Sequence, residues 1–253
     1  MDYLIYAIIF FMGASVGSFL NVCASRIPAE ESIVKPPSHC NDCGYVLAWY
    51  DLIPLFSWLF LRGKCRKCGA KLSSRYFFVE LFTGLMFLLL FMEFGVSLKF
   101  AVYLIFTCFL IVIGLIDFDT QDIYDIHIIA PAVVQLVFIA YMFLKGENVM
   151  TYFYGALAGG GFISLIVILT HGMGWGDAEL CALCGLVLGF KYTLLTIFIA
   201  IVLGGIVGVI VLLTRKKGRK DAIAFGPFIA MGAMAAMLWG QQLIDCYVRL
   251  IVR

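Results

Sequence analysis

Four stretches of this chain run for 23 residues without a charge: Tyr3 to Ser25, Asn148 to Thr170, Tyr192 to Thr214 and Ala222 to Ile244. A fifth, Phe100 to Ile116, runs for 17. A helix needs about 20 apolar residues to cross the hydrocarbon core of a bilayer, with a range of about 17–25. Two further segments fit while tolerating one polar group, about 76–92 with Glu80 and about 126–144 with His127. Leu180 to Phe190 is shorter but equally apolar. The pattern predicts an all-α polytopic membrane protein with about eight transmembrane helices. Composition agrees: 63% of the 253 residues are hydrophobic and 13% charged, against roughly 25% charged in soluble domains. So few charges cannot cover a water-facing surface, and the lipid bilayer is an expected partner. The first apolar run is too long for the h-region of a secretory signal and lacks a basic n-region, so no cleavable signal is expected.

Basic residues set the orientation. Segment 26–75 carries Arg26, Lys35, Arg62, Lys64, Arg66, Lys67, Lys71 and Arg75, and segment 215–221 carries Arg215, Lys216, Lys217, Arg219 and Lys220. The connections near 94–99, 145–149 and 191 hold one lysine each. The two basic segments are expected in the cytoplasm, together with the acidic loops 117–125 and 171–179. Three parts follow: a first helix within 1–25, a polar loop domain at 26–75, and a seven-helix body at 76–253.

The polar loop contains Cys40-Asn41-Asp42-Cys43-Gly44 and Cys65-Arg66-Lys67-Cys68-Gly69. Thiolates two residues apart on a tight turn can both reach one tetrahedral Zn²⁺, and two such turns close a four-cysteine structural site with no open position. Cys40, Cys43, Cys65 and Cys68 are the expected ligands. Two disulfides or free thiols are the alternative, disfavoured in a reducing compartment. His39 could in principle replace one thiolate. Cys181 and Cys184 share the spacing but lie in an apolar helix without a partner pair, which suits buried core thiols.

Two acidic sites carry the chemistry. One reads Ile116-Asp117-Phe118-Asp119-Thr120-Gln121-Asp122-Ile123-Tyr124-Asp125 at a helix end. The other reads His171-Gly172-Met173-Gly174-Trp175-Gly176-Asp177-Ala178-Glu179, with Asp177 opening the next helix. Two carboxylates meeting across a bundle interior cannot both ionise easily, so one keeps a proton near neutral pH. The charged one can take a proton from water while the protonated one polarises a carbonyl and later donates to the leaving amine. Asp117 and Asp177, one from each site, are candidates for such a pair, with a solvated helix cap as the alternative for any one aspartate. For Asp119, Asp122 and Asp125 a solvated helix cap is the simpler reading.

These residues resemble the type IV prepilin leader peptidases, which are related to other Gly-x-Gly-Asp membrane aspartyl proteases. The resemblance runs through Gly17-Ser18-Phe19-Leu20-Asn21-Val22, Arg26-Ile27-Pro28, both cysteine pairs, and Trp49-Tyr50-Asp51-Leu52-Ile53-Pro54-Leu55-Phe56-Ser57-Trp58. It continues in Arg62-Gly63-Lys64-Cys65, Ser74-Arg75-Tyr76, Val79-Glu80, Ile116-Asp117, Gly174-Trp175-Gly176-Asp177 and Phe225-Gly226-Pro227-Phe228. It implies a multi-pass enzyme of the bacterial cytoplasmic membrane, with Asp117 and Asp177 as its catalytic pair. The implied substrate is a prepilin or pilin-like secretion subunit. Its short basic leader is cut at the cytoplasmic face, and many members then methylate the new N-terminus using S-adenosylmethionine. Gly17, Ser18, Asn21, Arg26 and Glu80 are the residues the resemblance suggests for that methyl donor. Read as residues alone, Gly13 and Gly17 have the small-residue spacing of close helix packing, Asn21 suits an interhelical hydrogen bond and Arg26 a topology anchor. Nothing calls for a nucleic-acid partner. Two positions depart from the family pattern: Tyr124 where proline is usual and Glu179 where lysine is usual.

A transporter or proton relay would also use paired membrane acids, but near the bilayer midplane; Asp117 and Asp177 fall at helix ends. A zinc-bearing scaffold without catalysis would tolerate either aspartate as asparagine.

Overall fold

A computed structural model describes residues 2–170, 172–214 and 224–251. His171 and the basic segment 215–221 therefore lie outside the described residues. Nine α-helices are described: α1 (Asp2–Arg26), α2 (Phe56–Phe60), α3 (Ser74–Phe94), α4 (Leu98–Thr120), α5 (Asp125–Leu144), α6 (Met150–Thr170), α7 (Trp175–Leu188), α8 (Phe190–Leu213) and α9 (Gly226–Ile251). The described residues contain no β-strand beyond two isolated bridges. In lipid the backbone must satisfy its own hydrogen bonds, which a helix does within one segment.

Seven of these helices, all but α2 and α7, are long and apolar enough to cross a membrane. The eighth segment expected from sequence is helical but short. It begins at Trp175 rather than Leu180, because Gly174 caps it in extended conformation, and it stops at Gly189, whose φ of +80° ends the helix. Its 14 residues reach about 21 Å at 1.5 Å per residue, and most of them are buried. Cys181 and Cys184 are 1% and 0% exposed, the core thiols expected of them.

The chain divides into two compact units, Met1–Val112 and Ile113–Arg253. In the first, α1 packs on α3 through glycines. A Cβ on Gly17 would stand 2.8 Å from Thr83 Oγ1, and one on Gly13 would stand 2.7 Å from Phe87 Cβ. The small-residue reading of this pair therefore holds: the helices touch where side chains are missing. The polar loop between α1 and α3 belongs to this unit.

In the second unit α7 lies against α6, α5, α8 and α9. Gly155 and Gly159 of α6 meet the backbone of α7 at Gly185 and Cys181, leaving no room for a side chain. Gln135 of α5, 1% exposed, donates to the Leu186 carbonyl at 3.0 Å. The short helix is thus held from several sides, which fixes the position of its first turn.

Candidate active site and metal centre

In the polar loop each cysteine pair forms a small hairpin. Cys40 N–H donates to Tyr45 O and Gly44 N–H back to Cys40 O; Cys65 N–H donates to Ala70 O and Gly69 N–H to Cys65 O. The glycines turn the chain with φ of +68° and +72°, a region that costs other residues energy. The hairpins bring the four Sγ atoms within 4.8 Å of one another. Cys40 and Cys68 sulfurs are 3.8 Å apart, and those of Cys43 and Cys65 4.0 Å. A disulfide would need about 2.05 Å; all four are free thiols. A tetrahedral ion with sulfur at about 2.3 Å has edges of about 3.8 Å, so the cluster fits a metal ion. Backbone N–H groups of Cys68 and Lys67 pull the Cys65 thiol down to about 7, which favours the thiolate a metal requires. His39 is not among the four and pairs its ring Nδ1 with Pro37 O.

Asp51 ties the hairpins to the apolar segment between them. It is buried, and its Oδ1 takes the Arg66 guanidinium at 2.7 Å while Oδ2 accepts from Tyr45 Oη and Ala48 N–H. Burial opposes its charge, but these donors outweigh it and hold the carboxyl below the usual range.

Gly17, Ser18 and Glu80 meet at the α1–α3 contact. Glu80 is 7% exposed, bonds Ser18, and accepts the Leu55 N–H at 2.7 Å. Asn21, 4% exposed, reaches Gly17 O at 3.3 Å and Tyr76 O at 3.4 Å. Arg26 donates instead to Ser32 O in the loop.

In the second unit, Asp117 near the C-terminus of α4 and Asp177 in the first turn of α7 line one cavity of about 430 Å³. They are 4% and 8% exposed, and the two carboxyls interact electrostatically. Asp117 Oδ2 accepts the Gly226 N–H at 2.8 Å, the first turn of α9. Asp177 Oδ1 is buried without a hydrogen-bond partner among the described residues. An unpaired buried carboxylate oxygen is costly, so the cavity suits a polar occupant, and one water would satisfy it. The last glycine of Gly174-Trp175-Gly176-Asp177 packs on Ile123, whose Cβ would lie 2.8 Å from an added methyl. That glycine seats the α7 start directly on the loop after α4.

The walls were only partly expected. Asp122 and Gln121 add polar groups, while Ile123, Met173, Trp175 and Phe225 add apolar ones. Asp122, expected as a solvated cap, lines the cavity. Gly226 had no assigned part; its signal was the Phe225-Gly226-Pro227 break opening an apolar run. Asp125 lies in the first turn of α5, where an acid favours the helix dipole. Of the two departures, Tyr124 caps α5 and packs on His127, and Glu179 is exposed on α7. Neither lines the cavity.

Comparison with known proteins places these features in one family. Residues 11–94 match the bacterial peptidase A24 N-terminal domain, and residues 104–209 match the type IV leader peptidase family. A Bacillus subtilis protein named prepilin leader peptidase/N-methyltransferase is 32% identical over 251 residues, covering 96% of this chain and 98% of the relative. Proteins of the same name from Myxococcus xanthus and Pseudomonas aeruginosa are 38% and 32% identical. They cover 84% and 94% of this chain, and 65% and 92% of their own lengths. No solved structure matches. With relatives aligned along almost its whole length, and with the cysteine loop and paired aspartates in place, the chain belongs to the type IV leader peptidase family.

Proposed function

We propose that this protein removes the short basic leader from prepilins and pilin-like secretion subunits at the cytoplasmic face of the bacterial cytoplasmic membrane, with Asp117 and Asp177 as the catalytic pair. The observation that carries this reading is the shared cavity: two buried carboxyls from separate helices, one with an unpartnered oxygen. One proton is shared by the pair. The ionised member takes a proton from water as its oxygen attacks the scissile carbonyl carbon. The protonated member gives its proton to the carbonyl oxygen. Collapse of the gem-diol then breaks the C–N bond and sends a proton to the leaving amine. The Gly226 N–H holds Asp117 by one oxygen, leaving the other for water. The acidic wall at Asp122 suits a basic leader, and the apolar wall at Ile123, Met173 and Phe225 suits the start of an apolar helix. The positive charge of 26–75 and 215–221 supports the cytoplasmic placement.

Methylation of the new N-terminus from S-adenosylmethionine is the second activity proposed. Gly17, Ser18, Asn21, Arg26 and Glu80 are its proposed donor-binding residues, supported by the family resemblance; their observed contacts are helix packing for Gly17 and Asn21 and bonds to the polar loop for Arg26 and Glu80. Zn²⁺ is the metal proposed for Cys40, Cys43, Cys65 and Cys68, where it would be structural, since four thiolates fill a tetrahedron. The test is incubation of the purified enzyme with a prepilin peptide, with and without S-adenosylmethionine, followed by mass measurement. The expected products are a shortened peptide in both cases and an added methyl only with the donor. An intact peptide would refute the hydrolase reading.

A further inference from the structure

Between the cysteine hairpins runs Leu52-Ile53-Pro54-Leu55-Phe56-Ser57-Trp58-Leu59-Phe60-Leu61, ten residues without a charge, bounded by Asp51 and Arg62. In a loop that otherwise carries eight basic residues, this composition is out of place. Leu55 is buried and Trp58 packs on Phe77, but much of the segment faces outward. Phe60 is 82% exposed, Leu59 53%, Leu52 45% and Phe56 44%. Exposed apolar clusters of this kind mark an interaction surface.

The contacts of the segment say how deep it lies. Arg26 ends α1 and Ser74 and Arg75 begin α3, so these antiparallel helices share a charged end there. Leu55 N–H bonds Glu80, which sits about 9 Å along α3 from that end at 1.5 Å per residue. The Phe56 ring stacks on Phe11 with centroids 5.7 Å apart, and Phe11 lies about 22 Å along α1 from Arg26 on the same scale. Phe11 is itself 41% exposed on an apolar span. The patch is thus continuous with the lipid-facing surface of α1, well inside the charged boundary.

Its backbone is equipped for that depth. Ser57, Leu59 and Leu61 donate to Ile53, Leu55 and Ser57 carbonyls, and Phe56 donates to Pro54 O at 2.7 Å. Pro54 has no N–H to satisfy. Leu55 has φ +65° and ψ −50°, a strained γ-turn conformation that persists only when its surroundings hold it. The Glu80 carboxylate supplies that hold. Non-helical backbone at membrane depth needs its polar groups taken up by protein, as the Leu55, Phe56 and Ser57 N–H groups are here.

We propose that residues 52–61 form a re-entrant membrane anchor, with Phe56, Leu59 and Phe60 seated among phospholipid acyl chains and Glu80 pinning the turn. The cysteine hairpins on either side are then tethered to the bilayer by the segment that joins them. The proposal stands apart from the assignment of either activity.

The test places a photoreactive benzophenone amino acid at position 60, or at position 56, in the full-length protein in vesicles of phosphatidylethanolamine and phosphatidylglycerol. Position 34 in the polar loop, where Val34 is 75% exposed, is the control. After irradiation, peptide mass spectrometry is expected to find phospholipid attached at 56 and 60 through its acyl chains, and none at 34. Attachment through headgroups only, attachment to another protein chain, or no adduct at 60 would each overturn the proposal. Because both positions are substantially exposed, the substitutions leave the fold intact, which an unchanged thermal midpoint of the same samples verifies.

Discussion

A methyl group on Gly226 would stand 2.6 Å from Asp117 Oδ2, the oxygen its own N–H holds. No side chain fits there unless the carboxylate moves. Gly226→Ala therefore displaces Asp117 by a fraction of an ångström to an ångström, and a shift of that size costs about 10²-fold in rate. Steady-state cleavage of a prepilin peptide should show the loss chiefly in kcat, with expression and membrane insertion unchanged. Wild-type kcat in this variant would mean the contact does not position the acid. Asp177 is the opposite case: its Oδ1 is buried and unpartnered, so its worth lies in what enters the cavity.

At the scale of elements, α7 owes its place to glycine. Gly185 faces the Gly155 backbone of α6 with no space for a side chain. Gly185→Val should destabilise the second unit by about 1–3 kcal/mol, as overpacked cores do, and lower the thermal midpoint in detergent. An unchanged midpoint would show that α6 and α7 can separate freely. The cysteine hairpins are the other element with a sharp expectation. Cys40→Ser or Cys65→Ser should lose bound zinc by elemental analysis and impair methylation before cleavage. Equal zinc content in variant and wild type would remove the four-thiolate assignment.

For the whole molecule, the apolar runs were legible because lipid demands helices of fixed length. The cysteine pairs were legible because their spacing allows little else. The two aspartates were singled out by the family resemblance of Ile116-Asp117 and Gly174-Trp175-Gly176-Asp177, since residue chemistry alone leaves a helix cap open for each. Three things escaped the sequence. α7 starts earlier than its apolar run because a cap and glycine packing, rather than hydropathy, set its first turn. Gly226 joins the site through a contact with Asp117, 109 residues away in sequence, which no local pattern records. The segment 52–61 read as part of a polar loop, since a run of ten is too short to signal membrane depth. Its position shows only in contacts with Phe11 and Glu80.

The central claim is that Asp117 and Asp177 act together on one water, and replacing either with asparagine tests it most directly. Each variant, purified and incubated with a prepilin peptide, should lose cleavage by about 10³-fold or more, the scale of losing a general acid or base, while still inserting into the membrane and retaining zinc. Leader removal at the wild-type rate by either Asp117→Asn or Asp177→Asn would contradict the account.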